Sequence, residues 1–325
     1  MKQNHAAHWV PLLLAVWCVL FLRCESTEQS MIRLVMLEKD AQGWTAGLVY
    51  QSPEASADSS EAQVELRFSA AEGESLAKAL AQAEKALPQK PNYRLCDYLL
   101  LTPGVRPEQL AEYEQLVLAQ QCGRVAARML YGAFDCAEFS EQSEETQALP
   151  EKLLQRVRES ARDAPSLYDR RSGLLLPAIE LTAEGVGIRS DGIFLSEQGE
   201  QPLDAAQTAA AQFLTGKSGV YTFWLEGEKI TLRCRSRAVQ PERDGSFTLR
   251  LTCQNAAGSQ PPDEAQRAEL EALCTRTAEE FWSRGADLMG LSASLALREG
   301  PDSVLLPAKN ACPQLRTDVE MLFDF

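Results

Sequence analysis

Histidine is nearly missing from this 325-residue sequence, which holds two, His5 and His8. Both fall in a segment that reads as an export signal, so a chain cut after it has none. Such a chain lacks the commonest general base and the commonest metal ligand. Ser-His-Asp and Cys-His catalysis are excluded, as are zinc hydrolase sites built on imidazole. None of the nine cysteines (18, 24, 96, 122, 136, 234, 253, 274 and 312) lies in a CxxC pair. Their spacing is not that of a small disulfide-framed domain, and most read as buried apolar thiols. Complete nucleotide loops are missing too. Thr215-Gly216-Lys217-Ser218 looks like the end of a phosphate loop, but Ala211 stands where that motif needs glycine. The segment also closes a predicted helix, which points the dipole the wrong way for phosphate. Gly290-Leu291-Ser292-Ala293-Ser294 approaches a nucleophile elbow without its final glycine, and no histidine is there to activate the serine. No cofactor motif is found.

What is present begins with Lys2, a 14-residue apolar run from Trp9 to Leu22, then Arg23 and Cys24. A cationic start before a short apolar stretch is the pattern of an export signal. The run is shorter than the roughly 20 apolar residues that comfortably span a bilayer. Residues 1–23 are therefore expected to act as signal peptide or membrane anchor, with the rest outside the cytoplasmic membrane. Cys24 is placed for lipidation, although Arg23 fits poorly where a small residue is usual. The alternative is an uncleaved anchor with Lys2 and Arg23 reaching the two interfaces.

Lys2 and Arg23 are the only charges before Cys24, so the remaining 302 residues carry 30 basic and 46 acidic groups, a net charge near −16. A surface of that sign repels nucleic acid and anionic lipid, and it also serves simple solubility.

Patterning predicts an α+β, multidomain chain of mixed sheets and packed helices. An N-terminal α/β domain is expected over 24–134. It opens with strands Ile32–Met36 and Trp44–Tyr50 around an Asp40–Gly43 turn, then a polar connection over 51–62 and a third strand near 64–68. Leu76, Leu80, Ala83 and Leu87 mark a helix that Pro88 stops. A strand over 95–101, a helix from Pro107 and a strand over 124–130 read as a βαβ unit. An acidic linker over 135–149 and a helix after Pro150 form a middle section to residue 176, ending in the loop Asp169-Arg170-Arg171. The C-terminal domain, 177–325, is predicted as an antiparallel sheet with a long amphipathic helix over 263–284. Its strands are placed near 178–188, 192–196, 219–225, 228–239 and 246–254, with a last one over 315–323 and a helix over 204–214.

The hairpin over 228–254 is the most informative part of that domain. With Pro241 and Ser246 flanking the loop, Cys234 faces Cys253 and Arg237 faces Arg250. Ile230, Leu232 and Cys234 then share a face, and Arg233, Arg235, Arg237 and Arg250 share the other. Like charges in a row need partners. Acidic helix residues of the same domain could supply them, or the row docks an acidic partner. The cysteine pair is a cross-strand disulfide or two core thiols, with thiols preferred because register slips easily by one.

Several segments, in order, resemble the Ger(x)C family, the C subunit of bacterial spore germinant receptors. Ile32–Tyr50 with its Lys39-Asp40 turn is similar to the family's opening region. Tyr98–Met129, with Arg124-Val125-Ala126-Ala127-Arg128, is similar to its middle block. Gly192-Ile193-Phe194, Leu203 and the helix after it resemble its last domain. Ala286-Asp287-Leu288-Met289-Gly290-Leu291 looks like its signature, with Asp287, Gly290 and Leu291 the matching positions. The resemblance implies a membrane-anchored lipoprotein of three mixed α and β domains on the outer face of the spore inner membrane. It would act with two integral-membrane receptor subunits in nutrient sensing, through assembly or signal transmission, without catalysis, cofactor or nucleic acid. Two other classes stay open: an exported solute-binding lipoprotein, and an exported hydrolase using paired carboxylates.

Overall fold

The computed structural model describes residues 29–51, 65–169, 173–196, 198–215, 219–256 and 260–322. The segment 1–23, Cys24, nearly all of the 51–62 connection, Arg170, Arg171, residues 216–218 and Phe323 lie outside them.

Strand β1 (Ser30–Lys39) carries the run Leu34-Val35-Met36-Leu37, all fully buried. A strand apolar at consecutive positions needs cover on both faces. It has that cover. Val35 and Leu37 join a core with helices α1 (Leu76–Lys85) and α2 (Leu110–Gln120). Leu34 and Met36 join a core with α3 (Cys136–Glu145) and α4 (Leu149–Ser160). Strand β2 (Trp44–Gln51) returns antiparallel through a turn in which Asp40 Oδ1 accepts the amides of Gln42 and Gly43, both at 2.7 Å. Strand β3 (Leu66–Gly73) closes that edge.

On the other side of β1 lie β5 (Tyr98–Leu101) and then β6 (Arg128–Gly132), both parallel to their neighbours, with α2 crossing between them. This is the βαβ unit read from the sequence. A two-residue strand, β4 (Pro91–Asn92), pairs with the start of β1. Strands β7 (Leu174–Thr182), β8 (Gly185–Ser196) and β9 (Gly199–Pro202) extend the sheet, giving the order β3-β2-β1-β5-β6-β7-β8-β9.

A second, four-stranded sheet has the order β10 (Val220–Leu225), β11 (Glu228–Pro241), β12 (Phe247–Asn255) and β13 (Leu315–Leu322). One face packs on α5 (Ala205–Thr215), α6 (Glu264–Ser283) and α7 (Leu291–Glu299). Asp263 and Gln266 form a capping box at the start of α6, which buries Leu270, Cys274, Ala278 and Trp282. The two sheets meet where Phe194 of β8 packs edge-on against Phe281 of α6, ring centroids 4.7 Å apart. Leu203, Ala211 and Ala286 fill the rest of that joint.

The α+β fold of mixed sheets is as expected, and several details differ. The boundary expected at residue 177 falls inside β7. Ala178 and Ile179 pair with Tyr131 and Gly132, so the first sheet continues to β9 and the second begins at β10. The shift toward strands at 177 marks an antiparallel extension of one sheet. The expected linker over 135–149 is largely helix α3. Asp135 caps it by accepting the Glu138 amide at 2.7 Å, and its apolar residues, Cys136 and Phe139, are buried. Too few apolar positions repeat there for a period to show. The single strand expected over 178–188 is interrupted at Ala183-Glu184, where β7 turns into β8. The last strand, β13, runs parallel to β12 because α6 and α7 carry the chain back across the sheet, so the C-terminal sheet is antiparallel in two of its three pairings. Alternation reveals a strand but not its direction. Helix α7 was not anticipated.

Candidate docking face and the Asp287 corner

The second sheet alternates except at one bulge in β11, so its inner face is core and its outer face is open. Tyr221, Phe223, Ile230, Leu232, Leu249 and Leu251 point inward and are buried. Val220, Trp224, Arg233, Arg235 and Arg250 point outward and are exposed, Trp224 to 71%. Among the described helices, those packing on this sheet cover the inner face alone. The outer edge is guarded: Glu271 of α6 accepts the Val319 amide of β13 at 2.9 Å, which removes a donor that another strand could use.

The arginine row is real in part. Arg235 Nε donates to Gln254 Oε1 at 2.7 Å, and Arg250 Nε lies 3.5 Å from Asp318 Oδ2 on β13. Arg233 stands opposite Gln254 and Val220. Arg237 does not belong to the row. Ordinary pairing near the turn is Pro241 with Phe247, one residue further along β12 than expected, because the loop has five residues. Arg237 therefore faces Leu251, and Arg250 faces Ala238. A bulge between Cys234 and Ser236 absorbs one residue and restores the expected pairing of Cys234 with Cys253. Past that bulge the side chains change faces, and Arg237 passes under the sheet. Its Nη1 donates to the Leu214 carbonyl at the end of α5, and lies 3.5 Å from the Leu288 carbonyl. Burial lowers the Arg237 pKa from its ordinary value. A β-bulge has no marker in the composition of β11, so periodicity alone carried Arg237 to the wrong side.

Asp287, Gly290 and Leu291 come together as a corner. Asp287 Oδ1 accepts the Leu291 amide at 2.9 Å and Oδ2 accepts the Ser292 amide at 2.8 Å, capping α7 through both oxygens. Gly290 reaches this geometry with φ of +73°, a conformation that favours glycine. Leu291 is buried in the second core. Ser292 Oγ donates to the Leu305 carbonyl and Ser294 Oγ to that of Gly290, so both hydroxyls serve backbone carbonyls. The residues that match the family signature thus build a helix start, and Asp287 is a remote N-cap. The short α7 leaves Leu297 exposed to 90%, with Val304 and Leu306 half-exposed beyond it. No amphipathic period announced this feature in sequence.

Between the two sheets runs a groove of about 500 Å³, lined in part by Glu159, Ile188, Asp191, Ala209, Val220 and Trp224. Two of its carboxylates are held by arginines. Arg189 Nε donates to Asp191 Oδ1 at 2.9 Å, and Arg156 Nη1 to Glu159 Oε2 at 2.8 Å. These arginine bonds lower both carboxyl pKa values. A two-carboxylate hydrolase needs one acid raised, so neither residue has the required tuning.

Among the described residues, no helix is long and apolar enough to cross a membrane. No protein-family model matches this chain, and no curated protein matches it. A solved structure described as the crystal structure of the GerBC protein is similar to it. The identity is 11%, the match covers 88% of this chain and 96% of that one, and the TM-score is 0.45.

Proposed function

We propose that this chain is a non-catalytic, extracytoplasmic subunit of a spore nutrient germinant receptor. It is held to the membrane by its N-terminal segment, with lipidation at Cys24, and works in assembly or signal transmission with two integral-membrane subunits. The reading rests on the ordered resemblance of Ile32–Tyr50, Tyr98–Met129, Gly192–Phe194 and Ala286–Leu291 to the Ger(x)C family. The observation that carries the docking role is the open face of the second sheet. Arg233, Arg235 and Arg250 lie there on a chain whose net charge is −14. A basic face on an acidic protein steers a partner of opposite charge to one side of the molecule. Arg237 has no part in that face.

Deletion of the gene in its host tests the receptor role. Loss of the response to nutrients with a normal response to a receptor-independent trigger is the expected result, read as dipicolinic acid release from purified spores. A host that does not sporulate, or an unaltered nutrient response in a strain with no second copy, sinks the reading. Charge reversal at Arg233 and Arg235 tests the face: co-purification of the membrane subunits should fall about tenfold at low salt.

A further inference from the structure

Three thiols meet inside the second sheet's core, apart from the docking face. Cys234 of β11 and Cys253 of β12 are directly paired, and Cys274 of α6 lies close to both. Cys234 is 4% exposed and Cys253 is fully buried. Both are free thiols that face each other across the strand pair, and Cys234 Sγ donates to the Ser236 carbonyl at 3.5 Å. The facing Cys253 thiol and the Arg237 cation lower the Cys234 pKa despite its burial, while Cys234 and burial raise that of Cys253. The bulge at Arg235 interrupts the ladder beside Cys234, and interrupted ladders open more readily. A directly opposed pair sets its Cβ atoms about 4.5–5.5 Å apart, next to the disulfide range of about 3.5–4.5 Å, so a small shift at the bulge closes the bond. The objection raised by the sequence, an uncertain register, no longer holds.

We infer that Cys234 and Cys253 form a cross-strand disulfide by exchange with a small disulfide oxidant. The Cys234 thiolate attacks one sulfur of the oxidant, whose S–S bond breaks, and the leaving thiolate takes up a proton. Cys253 then gives its proton to solvent, and its sulfur attacks Cys234 in the mixed disulfide and expels the second thiolate. Two protein thiols are oxidised, and the oxidant takes the two electrons as two thiols. Cys274 is the nearest competitor. It sits on a helix across the core, out of the strand register that aligns the other two. The link would close the β11–β12 hairpin and pin the bulge that sends Arg237 under the sheet. It does not rest on the receptor reading.

The test uses the full chain, reduced and then exposed to oxidised glutathione, both folded and during refolding. Thiols are then blocked in acid and the peptides mapped. The expected product is a peptide pair joined through 234 and 253, lighter by two hydrogens, with a raised melting temperature that a reductant reverses. Cys253→Ser should instead trap glutathione on Cys234. In Cys234→Ser, glutathione should reach Cys253 about tenfold more slowly, because the more acidic thiol has been removed. Cys274→Ser should leave the joined pair unchanged. A link from Cys274 to either strand in place of the 234–253 link overturns the inference. So does the absence of that link after both treatments, a result that needs no variant to fold.

Discussion

In the first sheet four consecutive residues of β1, Leu34 to Leu37, are buried, because helices cover both faces. In the second, β11 buries only Ile230, Leu232 and Cys234 and leaves Arg233 and Arg235 in solvent. The difference separates a face committed to packing from one left in solvent. A face sandwiched between helices is committed to packing, whereas a face left open can carry charge for a partner at little cost to the fold.

Replacing a buried residue of β1 should show this difference most strongly. Leu34→Ala removes packing from a site that cannot collapse easily, and should cost about 2–5 kcal/mol in urea unfolding. Arg233→Ala, on the open face, should stay within about 0.5 kcal/mol. Equal effects would mean that the outer face is covered in solution. Arg237→Ala comes next and refines the same contrast along one strand. It leaves the Leu214 carbonyl without its charged donor and should cost about 1.5–3 kcal/mol. A cost as small as that of Arg233→Ala would place Arg237 back on the open face.

Asp287→Ala removes both acceptors from the start of α7. About 1 kcal/mol of stability should go with it, and the Leu291 and Ser292 amides should exchange faster. Unchanged exchange at these two amides would show that Gly290 alone sets the corner. The smallest effect concerns pH. Arg189 holds the Asp191 pKa below its unfolded value. This pair's contribution is present above the unfolded carboxylate pKa and is lost as pH falls through the lower, folded value. The pair is partly exposed, so the loss should be under about 1 kcal/mol, and Asp191→Asn should flatten the acid limb by that amount. An identical acid limb in the variant would mean that the pair is broken in solution.

Much of this architecture was legible in the chain. The turn at Asp40, the helices after Ser75 and Pro107, the long helix opened by Asp263 and the hairpin before Phe247 all follow from local patterns of caps, turns and periods. The opposition of Cys234 and Cys253 was also read correctly, though partly by compensation: the loop is one residue longer than assumed, and the bulge at Arg235 takes up the difference. Helix α3 escaped notice because it buries only Cys136 and Phe139, and α7 because Leu291 is its one buried residue. The Asp287 corner was noticed through its resemblance to a family signature, and its capping role appears only when the carboxylate is seen against two amides.

By itself, the sequence determined where most of the helices and strands form and that both histidines, His5 and His8, lie in the first eight residues. These follow from side-chain type and spacing along the chain, which are local quantities. Tertiary structure alone decided that β7 to β9 prolong the first sheet, that β13 runs parallel to β12, and that Arg237 lies under its sheet while Arg233 and Arg235 stay above it. Each of those depends on which strand pairs with which and in what register. Such pairings are set by contacts between residues far apart in the chain, and one inserted residue in β11 is enough to reverse the face a side chain takes.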